Sequence, residues 1–256
     1  INNKIYGYLI QSNKARDSLK EDFMEYNEIV LGHAITVLKL DIQNKISNHQ
    51  IESKYREQFV QDLIFNNIQS LEEINTRAKL YNWSFENGMV VAIFDIDDFK
   101  KEYIESEIDY EEDIEDIRRD IFLRVKRYMK DNFAQAVYTT FSDNIVIILH
   151  NQKNIEKANF VNIIKNSAQN IRKNINRKTK FDLTIGIGKY KDCVMEVHRG
   201  YTEAKKAIHL SRELSANKVM LYESLGVYRL LEELSSKDSV QKFCNSYLKD
   251  LIDYDK

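Results

Sequence analysis

The sequence has 256 residues, 43% hydrophobic and 30% charged, which fits a soluble globular chain of one large domain or two ordinary ones. Its net charge of −2 offers no basic footprint for nucleic-acid binding by this chain itself. Its two cysteines, Cys193 and Cys244, stand at no metal-like spacing, which excludes a disulfide framework and fits a reducing cytoplasm. No apolar run reaches the roughly 18 residues that span a bilayer, so no membrane partner is expected.

In chain order, Lys4–Gln11 (K-I-Y-G-Y-L-I-Q) reads as a strand. One strand is not stable alone, so it is expected to close a larger sheet outside this sequence. Asp17 to about Asn48 reads as a long helix. Leu19, Phe23, Tyr26, Val30, His33, Val37 and Leu40 alternate at spacings of four and three, a heptad seam. A second stripe of Leu31, Ile35, Leu38 and Ile42 lies beside it. Two stripes predict burial on two sides, one against that sheet and one against a second copy of the chain. His33 sits in the seam and is expected to be buried and neutral or hydrogen-bonded; no partner histidine or cysteine at i+4 makes it a metal ligand. A separate helix is expected over Glu52–Asn66, and another over Leu71–Tyr81 with Leu71, Ile74, Ala78 and Tyr81 on one side.

After the turn signal Asn87-Gly88, Val90–Lys101 (V-V-A-I-F-D-I-D-D-F-K-K) opens with an apolar, β-branched run that predicts a buried strand. It ends in Asp95, Asp97 and Asp98. On an extended strand Asp95 and Asp97 share a face. Two readings stand: the carboxylates cap the next helix in solvent, or they hold a hard cation such as Mg2+. The nine acidic residues of Glu102–Asp116 read as a solvated charge run ahead of a helix over Ile114–Met129. Val137–Leu149 (V-Y-T-T-F-S-D-N-I-V-I-I-L) predicts a hairpin around S-D-N. A helix over Ile155–Asn174 ends in the basic stretch Lys173–Lys180. Asp182–Gly188 (D-L-T-I-G-I-G) is a strand, Met195–Leu214 a helix, and Gly226–Leu234 and Val240–Ile252 further helices. There is no G-x-S-x-G elbow, P-loop or dinucleotide fingerprint.

D-I-D-D-F-K, F-S-D-N-I and T-I-G-I-G, followed by N-K-V at Asn217–Val219, resemble the GGDEF domain of diguanylate cyclases from about Leu71 to Leu221. Where that family carries its two motif glycines, this chain has Phe141 and Ser142. Asn144 stands in place of the family's Glu. Tyr201–Ile208, Leu221–Leu234 and Tyr247–Lys256 are similar to bacterial transcription regulators of the purine-catabolism and sugar-diacid (PucR/CdaR) type, which carry a degenerate GGDEF-like domain before a C-terminal helix-turn-helix domain.

The resemblance implies an α+β fold. Long N-terminal signalling helices precede a GGDEF-like (ferredoxin-like, nucleotidyl-cyclase-like) antiparallel sheet flanked by helices, and C-terminal helices follow. The expected divisions are 1–48, the end of a sensor domain; 49–70, a connector helix; 71–222, the degenerate GGDEF-like domain; and 223–256, a helical lead into a DNA-binding domain. The implied role is non-catalytic and needs no cofactor. A small effector would bind an N-terminal sensor, a homodimer would form through the long helices, and DNA would be read by the C-terminal domain. The alternatives are a cyclase making a cyclic dinucleotide from GTP, or GTP/Mg binding without turnover. In the cyclase, Asp95 and Asp143 are the candidate metal ligands, with Asp97 or Asp98 in support; in the binding-only alternative, Asp95 and Asp143 place one cation.

Overall fold

The computed structural model describes residues 20–99, 111–133, 135–214, 217–226 and 228. The expected strand at Lys4–Gln11 and the expected helices at Gly226–Leu234 and Val240–Ile252 lie outside these residues or almost wholly so. Two compact units divide between Arg56 and Glu57.

Helix α1 spans Lys20–Ile64. It runs through the junction where the sequence suggested two helices. The apolar stripe fades between Ile42 and Tyr55, but Ser47–Ile51 contains neither Gly nor Pro to end the backbone hydrogen bonding. In the first unit the seam residues Val30, Val37 and Leu40 and the second-stripe residues Ile35 and Leu38 are exposed. His33 is exposed as well in the single chain, where neither the outside sheet nor the second copy expected to bury it is present.

The second unit is built on a five-stranded sheet. Its strands are β1 (Met89–Ile96), β2 (Ala136–Thr140), β3 (Asn144–His150), β4 (Leu183–Ile187) and β5 (Val219–Leu221), in the order β2-β3-β1-β4-β5. Pairing is antiparallel except that β5 runs parallel to β4. β1 is central and buried on both faces, which explains its unbroken apolar run. Val90, Ala92, Phe94 and Ile96 face α3 (Glu111–Asn132) and α4 (Lys157–Lys178). Met89, Val91 and Ile93 face the end of α1, α2 (Leu71–Leu80) and α5 (Val197–Glu213). Each fully buried aliphatic or aromatic side chain contributes about 1.5–3 kcal/mol.

Two features fix α5 against the sheet. A Cβ on Gly186 would lie 2.0 Å from the Ala204 carbonyl oxygen, and one on Gly188 would lie 2.4 Å from that of Gly200. The glycines of T-I-G-I-G therefore let helix and strand backbones touch. On the opposite wing, Phe59, Val60, Leu63 and Ile64 bury the end of α1, and Gln61 donates to the Thr139 hydroxyl at 3.1 Å. Lys126 of α3 stands over the Tyr138 ring, 4.2 Å from its centroid, and 3.9 Å from Glu57.

Candidate functional site

β1 delivers Asp95 between its register partners, Asn144 on β3 and Thr184 on β4. The strand ends one residue later. The Ile96 N–H donates to the Asp143 carbonyl, and the Asp97 N–H to the Asp182 carbonyl, so both neighbouring strands hold the turn that carries Asp97. Asp98 is exposed in the left-handed region at φ 57°, and Phe99 turns back into the core beside Phe181.

The two central carboxylates are withdrawn from solvent, with side-chain exposures of 13% for Asp95 and 12% for Asp97. They are met by cations of the chain itself. Arg212, at the end of α5, donates from Nη2 to Asp95 Oδ1 at 2.5 Å and to Asp97 Oδ1 at 3.0 Å. Lys218, just before β5, donates from Nζ to Asp97 Oδ2 at 3.0 Å. The buried Thr184 hydroxyl donates to Asp97 Oδ1 at 2.6 Å.

The electrostatic outcome differs between the two acids. Burial pushes the Asp95 carboxyl above its ordinary range, outweighing the hydrogen bond and charge of Arg212, and the charges of Asp143 and Asp97 add to the rise. Burial also acts on Asp97, but hydrogen bonds from Thr184, Lys218 and Arg212 outweigh it and hold that carboxyl below its ordinary value. Burial disfavours the Arg212 guanidinium, yet its two acidic partners leave its pKa raised.

Asp143 sits in the β2–β3 turn. Its Oδ1 accepts from the Ser142 hydroxyl at 3.2 Å and from the Asn144 amide at 3.3 Å. The turn closes through the Phe141 N–H to the Asn144 carbonyl, and Arg118 of α3 donates to the Ser142 carbonyl at 2.8 Å. The Phe141 ring packs edge-on against Phe65, 6.1 Å between centroids, and Phe65 in turn meets Tyr201 of α5 at 5.9 Å. Phe141 thus occupies the aromatic cluster at the end of α1.

A cleft of about 470 Å³ is bordered by Asp95, Asp97, Asp98, Asp143, Arg212 and Lys218. The acids border one cleft but do not form a ligand set. Among the described residues no three His, Cys, Asp or Glu side chains converge to hold a metal ion. Among the described residues, nitrogen cations and a hydroxyl donate to Asp95 and Asp97, so a divalent ion does not fit the arrangement as it stands. Arg212, Lys218 and Thr184 were not singled out as site residues from the sequence. Thr184 and Lys218 lie within the T-I-G-I-G and N-K-V stretches that carried the family resemblance. Arg212 had no local signal, being 117 positions from Asp95.

A family model described as a GGDEF-like domain matches residues 66–210. Among solved structures, the chain is similar to the active GGEEF domain of a diguanylate cyclase from Vibrio cholerae, with 14% identity and a TM-score of 0.39 over 58% of this chain and 88% of that one. It is also similar to the GGDEF domain of YfiN (or TpbB) from Pseudomonas aeruginosa, with 15% identity and a TM-score of 0.39 over 57% and 86% of the two chains. No curated protein matches it. No helix among the described residues is long and apolar enough to cross a membrane.

Proposed function

Since this chain belongs to the GGDEF-like domain family, through a match covering residues 66–210, we propose that its domain serves signal transduction without turning over a nucleotide. The observation that carries this reading is the pairing of Asp95 and Asp97 with Arg212 and Lys218. A cyclase must hold cations against phosphates at such carboxylates. The turn supports the same reading. Phe141 and Ser142 bring side chains to a place where a nucleotide would need close backbone approach, and Asn144 brings an amide where a carboxylate would add charge.

In this reading the chain is the central region of a bacterial transcription regulator of the PucR/CdaR type. Support comes from the resemblance of Tyr201–Ile208 and Leu221–Leu234 to such proteins. A small effector acts on a sensor domain, α1 pairs with α1 of a second copy, and a helix-turn-helix domain outside this sequence reads DNA in the cytoplasm. The apolar side chains exposed along α1 supply the pairing surface.

One observation favours a second reading, a nucleotidyl cyclase or nucleotide-binding domain: Asp95 and Asp143 border the same cleft. Calorimetric titration with GTP and Mg2+, followed by a search for cyclic dinucleotide in the same sample, decides between them. No heat at millimolar nucleotide and no product is the expected result. Product that disappears in Asp95→Ala and Asp143→Ala would establish the cyclase instead. Heat without product would make the domain a non-catalytic nucleotide binder.

A further inference from the structure

We infer that Arg212 and Lys218 are built-in substitutes for a divalent cation, so that this domain folds and works without metal at Asp95 and Asp97. The inference rests on the non-catalytic reading above and specifies how the acidic site is neutralised.

The argument begins with charge. Two carboxylates with about an eighth of their side-chain surface exposed would repel one another and lose hydration, and such a pair needs compensating positive charge. A divalent ion is one solution. Here two monovalent cations supply the same charge. The guanidinium spans both acids through one nitrogen, at 2.5 and 3.0 Å, and the ammonium takes the second oxygen of Asp97 at 3.0 Å. Thr184 completes the shell of Asp97 from the neighbouring strand.

Both cations arrive from elements fixed by the fold. Arg212 is in the last turn of α5, whose backbone is seated on β4 by Gly186 and Gly188. Lys218 leads into β5; its carbonyl accepts from the Ile185 N–H on β4, which anchors that residue beside the site. A tethered cation does not dissociate into bulk solvent, and it costs less ordering entropy when its element is already packed. For Mg2+ to enter, its short, near-octahedral oxygen shell would have to replace these nitrogens, and the displaced guanidinium would remain close enough to repel it. Asp143 is engaged within its own hairpin, where its Oδ1 accepts from Ser142 and Asn144.

The experiment is a thermal-denaturation series on the full chain with MgCl2 or MnCl2, against NaCl at matched ionic strength. The wild type is expected to show no divalent-specific shift. The Arg212→Gln/Lys218→Gln double variant exposes the two acids and is expected to gain a Tm rise of about 2–4 °C at about 10 mM divalent ion, reversed by EDTA. Adding Asp97→Asn should abolish that rise. Arg212 and Lys218 are 44% and 41% exposed, so both glutamines can be accommodated. Should the double variant fail to fold, Lys218→Gln alone should show a smaller rise of the same specificity. A divalent-specific rise in the wild type that is lost in Asp95→Asn overturns the inference. So does a folded double variant that ignores both metals. A metal response in the wild type without cyclic dinucleotide sinks this inference alone, whereas product formation sinks the non-catalytic reading.

Discussion

His150, the last residue of β3, is 6% exposed, and neither of its ring nitrogens has a hydrogen-bond partner. Burial lowers its pKa below the ordinary imidazole value, opposed by the charge of Glu86. The unfolded chain therefore binds a proton more readily than the folded one. Stability is full above the unfolded value of about 6.5 and falls as pH drops through it toward the folded value, where the loss levels off. Tm measured from pH 7.5 to 5.5 should decline, and His150→Leu should flatten that slope relative to the wild type. An unchanged slope would rule out His150 as its source. The candidate acids were legible at this scale because a strand ending in carboxylates is a local pattern. Their partners were not: Asp95–Arg212 and Asp97–Lys218 join positions 117 and 121 apart, and only strand order brings them together.

At the scale of elements, the contact between α5 and β4 makes a sharp demand. Gly186→Ala would place a methyl 2.0 Å from the Ala204 carbonyl oxygen and 2.8 Å from Ile208 Cγ1. The helix must move, and overpacking of this kind costs about 1–3 kcal/mol. A lower denaturation midpoint with an unchanged m-value is the expected reading. Because α5 carries Arg212, the same substitution should also loosen the pairing at Asp95. The buried strands were readable from β-branched runs, and the β2–β3 hairpin from its turn residues. The length of α1 was not. Its apolar stripe weakens after Ile42, which reads as an interruption, while the backbone lacks any residue that would make one. Periodicity reports which face is buried, and an exposed stretch of helix has no face to report.

For the whole molecule, the α+β class came from the family resemblance, and the sheet elements were legible because apolar β-branched runs and turn chemistry are local. The sequence did not carry the ion-paired state of the acids, which depends on how α5 and β5 meet the sheet. The proposed pairing of two copies has its own test. Val30, Val37 and Leu40 are exposed at heptad spacing in the single chain. Sedimentation of the wild type is expected to give a dimer, and Val37→Asp/Leu40→Asp a folded monomer; a wild type that stays monomeric at high concentration would remove α1 as the interface. The double change lies in the first unit and should leave the thermal transition of the second intact.

The position of Lys126 has a consequence for solubility. β2 is an outer strand of the sheet, and its five residues, A-V-Y-T-T, carry no charge. An uncharged, β-branched outer strand invites a foreign strand to add to it, which is how native sheets begin to aggregate. Charged residues usually guard such strands from within. Here the guard is lent by α3, whose ammonium rests on the Tyr138 ring beside Glu57. Protection against aggregation is thereby made a property of tertiary packing: once α3 or the end of α1 lifts away, the outer strand loses its nearby charge, and partial unfolding becomes more hazardous than the native surface suggests.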